Sequence, residues 1–201
     1  MAGRVLAEQG HQVVLLHARD ERRAGDASTV LPAAADVVIG DASRLKDLQR
    51  MAGQLNRMGR FDAVTHNVGV GYREPRRIVT EDRLPHVLAV NVIAPYVLTA
   101  LMERPRRLVY LSSGMHRMAQ ANLSDITWEK REWTGSTAYA ESKLYDVLLA
   151  FALARRWPEV FSNALEPGWV PTRMGGPGAP DDINQAQNAR PAGSETPSTP
   201  I

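Results

Sequence analysis

The sequence predicts one α/β domain built on a parallel sheet, and three observations predict it. Short runs of branched and aromatic residues recur at 12–17, 61–66, 107–113 and 161–165, and each stops at small or polar residues. Longer stretches with helical spacing of apolar residues lie between them, and strands that alternate with helices argue for parallel pairing. A length of 201 residues with 44% hydrophobic content suits a single core.

Taken in order, residues 1–10 read as a helix, with Val5 and Leu6 at helical spacing and Gly10 where a C-terminal cap is expected. The strand at 12–17 ends in His17, Ala18 and Arg19. A second strand, 61–66, runs into Asn67 and Gly69. Residues 88–99 form a helical run with one amide, Asn91, inside an apolar face. The run 107–113 is a short buried strand that stops at two hydroxyls, Ser112 and Ser113, before Gly114. Tyr139 and Lys143 stand four apart, which puts them on one helical face, and residues 147–154 continue as an amphipathic helix. The strand 161–165 ends in Glu166, Pro167 and Gly168. From Gly175 onward large apolar residues are too sparse to order the backbone, so a domain over 1–180 is expected to be followed by a disordered tail, 181–201.

The Tyr139 and Lys143 pair is the most informative feature. A tyrosine with an ordinary pKa near ~10 is a poor acid at neutral pH, and a cation beside it favours the phenolate, making it a usable proton donor and acceptor. The structural alternative is a Tyr139 that packs in the core while Lys143 reaches solvent. Other classes are disfavoured. The net charge is +2, and the arginine pairs at 22 and 23, 76 and 77, 106 and 107, and 155 and 156 form no stripe, which argues against nucleic acid as partner. No run approaches the ~18 apolar residues of a membrane span. The start lacks the apolar core of a signal peptide, being interrupted at residues 9–12. There is no cysteine for a disulfide framework, no internal repeat and no metal-ligand spacing, and a cytoplasmic location is expected.

With these motifs in this order, the chain resembles the short-chain dehydrogenase/reductase family. Its motifs are a Tyr-x-x-x-Lys pair, a strand-end Ser, a helix Asn, an Asn-Asn-Ala-Gly-like turn and a Pro-Gly after a later strand. The resemblance covers roughly residues 1–180 and implies a Rossmann-like, doubly wound parallel sheet and an oxidoreductase that interconverts an alcohol and a carbonyl. It implies Tyr139 as general acid/base and Lys143 as the group that lowers its pKa and holds the nicotinamide ribose. Ser113, preferred to Ser112, would hydrogen-bond the reacting oxygen, and Asn91 would hold a water of the proton relay. The turn reads His66-Asn67-Val68-Gly69, a departure from the pattern at two positions; Asn67, Val68 and Gly69 would still make backbone contacts on the adenosine side, and His66 reads as a hydrogen-bonded strand-end histidine. Pro167, Gly168, Val170 and Thr172 would also border the cofactor.

Arg19, at the end of the first strand, resembles the family's way of receiving a 2′-phosphate, which favours NADP(H) over NAD(H), with Asp20 adjacent. Residues 36–42 resemble the strand whose terminal Asp, here Asp41 beside Ala42, contacts the adenine amino group. The family's first strand and glycine-rich loop are not found ahead of residue 1, and its last strand is not found after 180. The missing strand would sit between those at 12–17 and 61–66, where its loss removes roughly 5–15 kcal/mol of burial and leaves the chain marginal. The inactive alternatives are therefore a truncated family member and a non-catalytic interaction module of the same fold. Residues 114–138, with Trp128 and Trp133, resemble the retinol-dehydrogenase-like branch, which implies a small, lipophilic alcohol or carbonyl substrate. Self-association as a homo-oligomer is compatible with the resemblance.

Overall fold

Parallel strands and covering helices alternate in the computed structural model, which describes residues 2–11, 15–30, 34, 36–172 and 174–182. The elements are α1 (Ala2–Glu8), β1 (Leu15–Ala18), α2 (Glu21–Val30), β2 (Asp36–Ile39), α3 (Leu45–Arg57), β3 (Ala63–His66), α4 (His86–Leu88), α5 (Ala94–Leu101), β4 (Arg107–Leu111), α6 (Gly135–Arg156) and β5 (Phe161–Leu165). A π-helical turn, Ala89–Ile93, joins α4 to α5. Two short 3-10 turns, Gly114–Met118 and Leu123–Asp125, punctuate the long segment before α6. Residues 12–14 of the first expected strand lie outside the described residues, as does the expected tail from 183 onward.

All pairing between named strands is parallel. β1 lies beside β2, with Leu15 opposite Asp36. β4 is the centre of a second sheet, with Val64 of β3 opposite Leu108 and Asn163 of β5 opposite Val109. Among the described residues no ladder connects β1 to β3, so the sheet is split at the position where the sequence expects a strand to be missing.

Side chains bridge the split. α3 buries Leu48, Met51, Ala52 and Leu55, a three-four spacing that makes one apolar stripe. The stripe packs with Val38 of β2 and with Val90 and Ala94, while Val64 of β3 rests on the same cluster. Each fully buried side chain of this size contributes about 1.5–3 kcal/mol. A second cluster joins Leu108 and Tyr110 of β4 to Ala150 and Leu153 of α6. The start of α6 is fixed by close approach: a Cβ at Gly135 would collide with the backbone carbonyl of Glu74, and the Trp133 indole donates to that same oxygen at 3.0 Å. Two packed faces therefore hold α6 against the carboxyl end of β4, the end at which parallel sheets present their ligand sites.

Candidate active site

α6 carries Tyr139, Ser142, Lys143 and Asp146, all buried. The end of β4 supplies two neighbouring hydroxyls with different fates. Ser112 donates its Oγ hydrogen to the Lys143 carbonyl at 2.9 Å and its backbone N–H to Leu165 at 2.8 Å, so it stitches the strand end to α6 and to β5. Ser113 starts the next turn, its Oγ accepting from the Met115 N–H at 3.4 Å, and its side chain stands near enough to Tyr139 to pull the phenol's pKa down. Of the two serines, Ser113 is the one brought to the phenol.

The Tyr139 phenol is raised above its ordinary pKa. Burial is the main cause, the nearby Ser113 side chain opposes it, and the Asp146 carboxylate and Tyr72 add to it. The resemblance implies that Lys143 lowers this pKa; in the fold, burial outweighs any such pull. The Lys143 ammonium lies 5.8 Å from the Tyr139 ring centre but donates to Asp146 Oδ2 at 2.9 Å and to the Leu111 carbonyl at 2.7 Å. Its charge is matched locally, so desolvation decides the direction. Asp146 is pushed up to about 6 by burial, with Lys143 pulling the other way.

Asn91 sits inside the π-helical turn, 1% exposed, in the kind of irregular turn that often accompanies functional sites. Its Oδ1 accepts from the Val70 N–H at 2.8 Å, and its Nδ2 donates to the Val70 carbonyl at 3.1 Å and to Ser142 Oγ at 2.9 Å. Both amide hydrogens are spent on the protein, so this side chain ties the loop after β3 to α6. Gly69 faces the same corner: a Cβ there would stand 3.4 Å from Asn91 Oδ1 and 3.8 Å from Lys143 Nζ. Asn67 and Val68 are exposed.

His66 stacks on Tyr110 with ring centres 4.9 Å apart and hydrogen-bonds Thr99 Oγ1 at 2.9 Å. Thr99 in turn meets the Tyr110 hydroxyl at 2.8 Å. Burial lowers His66 to about 4, so the imidazole is neutral at physiological pH and belongs to a buried network, as a strand-end histidine was expected to.

Two neighbours of Tyr139 had no signal in the sequence. Tyr72 meets it edge-on at 5.9 Å, and Met174 Sδ accepts from its hydroxyl at 3.8 Å. Met174 is delivered by the segment after β5. There Gly168 has φ +81°, Trp169 receives the Asp181 carboxylate on its backbone N–H and donates its indole hydrogen to Gly175 at 3.0 Å, and Thr172 Oγ1 accepts from Gly175 at 3.1 Å. Thr172 N–H donates to Val170 at 2.8 Å. Pro167, Gly168, Val170 and Thr172 thus shape a folded-back loop, and Asp181, assigned to the tail by the sequence, is bonded to it.

Past the carboxyl end of β1, Arg19 is exposed beside Asp20, Nε to Oδ2 3.7 Å. Asp20 Oδ1 caps α2 by accepting the Arg23 N–H at 2.9 Å. Asp41 follows β2; its Oδ1 accepts from the Ser43 N–H at 2.9 Å and from Ser43 Oγ at 2.7 Å. Burial pushes the Asp41 carboxyl up, yet these bonds and the charges of Arg44 and Arg19 outweigh it and hold it below its ordinary value. Arg19 and Asp41 therefore share one corner, next to the buried Ala42. The tryptophans of the long segment are anchors: Trp128 and Trp133 pack edge-on at 5.4 Å, and Arg131 lies 3.7 Å over Trp128 while gripping Glu141 with both ends of its guanidinium. Among the described residues no group of His, Asp and Glu could hold a metal, and no helix is long and apolar enough to cross a membrane.

Residues 2–199 match the family model described as Enoyl-(Acyl carrier protein) reductase. The chain is 41% identical over 187 residues to the uncharacterised oxidoreductase AN7799 of Emericella nidulans, spanning 92% of this chain and 70% of that protein. It is 39% identical over 182 residues to the short-chain dehydrogenase chry4 of Gibberella zeae, spanning 89% and 69%. Human retinol dehydrogenase 13 is 32% identical over 144 residues, spanning 67% of this chain and 43% of the relative. A blue fluorescent protein from a metagenomic library, solved in complex with NADPH, has the same fold, with a TM-score of 0.66 at 21% identity over 91% of this chain and 74% of its own.

Proposed function

Because this chain belongs to the short-chain dehydrogenase/reductase family, we propose that it is an NADP(H)-dependent oxidoreductase that interconverts a carbonyl and an alcohol at Tyr139. The observation that carries this proposal is the meeting of the Tyr139 phenol with Ser113 and Lys143 at the carboxyl end of a parallel sheet. The residues present fit a nicotinamide dinucleotide at two places. Gly69, Asn91 and Lys143 leave a corner that a Cβ would narrow, suited to the nicotinamide ribose. Arg19 and Asp41 flank the other end, suited to the 2′-phosphate and the adenine. Arg19 favours NADP(H) over NAD(H), and the NADPH held by a structural neighbour is consistent with that choice.

When bound, the reduced dinucleotide supplies a hydride. Tyr139 donates its phenolic proton to the substrate oxygen, and Ser113 hydrogen-bonds the same oxygen. Lys143 orients the ribose, and Asn91 keeps the Gly69 loop docked on α6. Tyr139 is buried, so it acts with little solvent screening. The apolar edges that Tyr72 and Met174 present to Tyr139, with the likeness to retinol dehydrogenase 13, support a lipophilic substrate.

The test is NADPH consumption with a panel of aromatic ketones and long-chain aldehydes. Tyr139→Phe is expected to lose turnover by roughly 10²–10⁴-fold, the usual worth of a positioned acid, while binding NADPH as the wild type does. A Tyr139→Phe protein that keeps most of its turnover would contradict the assignment.

A further inference from the structure

One turn past Lys143, Asp146 is 2% exposed. Its Oδ2 receives the Lys143 ammonium at 2.9 Å, and that ammonium is also held by the Leu111 carbonyl of β4 at 2.7 Å. Its second oxygen, Oδ1, is buried with no hydrogen-bond partner. A buried carboxylate with one oxygen unsatisfied is a costly way to stabilise a helix, and an apolar side chain of similar size usually serves as well. The charge itself is what the position supplies. The ionisable groups around it are Lys143 and Tyr139 from α6 and Tyr110 from β4, with Tyr72 on the far side of Tyr139. Both Tyr110 and Tyr139, raised first by burial, are raised further by Asp146.

We propose that Asp146 is a positioning residue that cancels the Lys143 charge and keeps Tyr139 in its proton-donating form through neutral and mildly alkaline conditions, so that the site reduces carbonyls there and accepts alcohols only at higher pH. The proposal rests on the oxidoreductase reading above and deepens it. In the reduction, the carbonyl carbon gains a hydride from the reduced dinucleotide, the π pair of C=O moves to oxygen, and that oxygen takes the Tyr139 proton; the phenolate is then reprotonated from solvent. Alcohol oxidation reverses each step and begins from the phenolate. The overall equilibrium is untouched; what Asp146 sets is the pH at which each direction runs. An uncancelled ammonium 4–6 Å from an acid lowers its midpoint by about 1–3 pH units, and the carboxylate removes that pull.

The experiment follows the Tyr139 midpoint by NMR of ring-labelled tyrosine, with the signal assigned by its absence in Tyr139→Phe. Beside it runs the alkaline limb of NADPH-dependent acetophenone reduction. Asp146→Asn, which keeps shape and loses charge, is expected to lower the midpoint by about 1–3 pH units and to move the alkaline limb with it. The double variant Lys143→Gln with Asp146→Asn leaves no buried charge unpaired and is expected to stay near the wild-type midpoint. An unchanged midpoint in Asp146→Asn overturns the proposal. Should that variant fail to fold, a double variant whose midpoint climbs clearly above wild type overturns it, because Lys143 would then have been acting uncancelled. A shifted midpoint in a protein that reduces no carbonyl supports the charge assignment and contradicts the oxidoreductase reading; an active reductase with an unshifted midpoint does the reverse.

Discussion

At the scale of the residue, adjacent groups in the sequence take different tasks in the fold. Arg19 and Asp20 are neighbours after β1, but Asp20 caps α2, and that backbone bond is the first cause of its lowered pKa. Arg19 remains 65% exposed and close enough to Asp41 to act on it. A carboxylate committed to a cap is a poor receiver of a ribose hydroxyl, which supports the proposed role of the arginine as reader of a phosphate. Arg19→Ala is therefore expected to weaken NADPH binding roughly 10-fold to 150-fold, the worth of a charge-assisted hydrogen bond of about 1.5–3 kcal/mol, and to change NADH binding little. Calorimetric titration with both cofactors checks this, and equal losses would contradict it. Ser112 and Ser113 divide in the same way: one hydroxyl closes the fold, and its neighbour faces the phenol.

At the scale of the element, what was legible follows from whether the determinant was local. The strand 161–165 has the observed bounds of β5, and 107–113 overruns β4 by two residues: Ser112 still donates its backbone N–H to Leu165, and Ser113 caps the turn that follows. The helical run at 88–99 extends from His86 to Leu101 in the fold, and its π-helical turn was invisible as a turn. The only mark of it in the sequence is Asn91, an amide inside an apolar face, whose bonds to Val70 and Ser142 reach across 21 and 51 residues. Trp128 and Trp133 were legible as residues of interest but resolve into anchors, since their partners Arg131 and Glu74 come from the loop itself and from a distant turn. Asp146 was open to detection by its three-residue spacing from Lys143. Met174 was not, because its approach to Tyr139 depends on the path set by Gly168, Trp169 and Thr172.

At the scale of the whole molecule, the two sheets share a core without sharing a ladder among the described residues, and two buried groups make the stability of that core depend on pH in opposite senses. His66 is ordinarily near 6.5 and is lowered to about 4 in the fold. The unfolded chain binds more protons between these values, so the His66 contribution is complete above 6.5 and is lost as pH falls through 4, by about 3 kcal/mol. Asp146 is ordinarily near 3.8 and is raised to about 6. The folded chain binds more protons there, so its contribution is complete below 3.8 and is lost as pH rises through 6. Between 4 and 6 the two oppose each other. Asp146→Asn is expected to lose stability more steeply than wild type when urea melts are compared from pH 6.5 down to 4, and parallel curves would contradict this. The central claim, that Ser113 and Tyr139 serve one reacting oxygen as a unit, is tested most directly by kcat/KM for acetophenone reduction across wild type, Ser113→Ala, Tyr139→Phe and the double variant. Residues that act as a unit are strongly non-additive, so the double variant is expected to be no slower than Tyr139→Phe alone; a loss equal to the product of the two single losses would contradict the account.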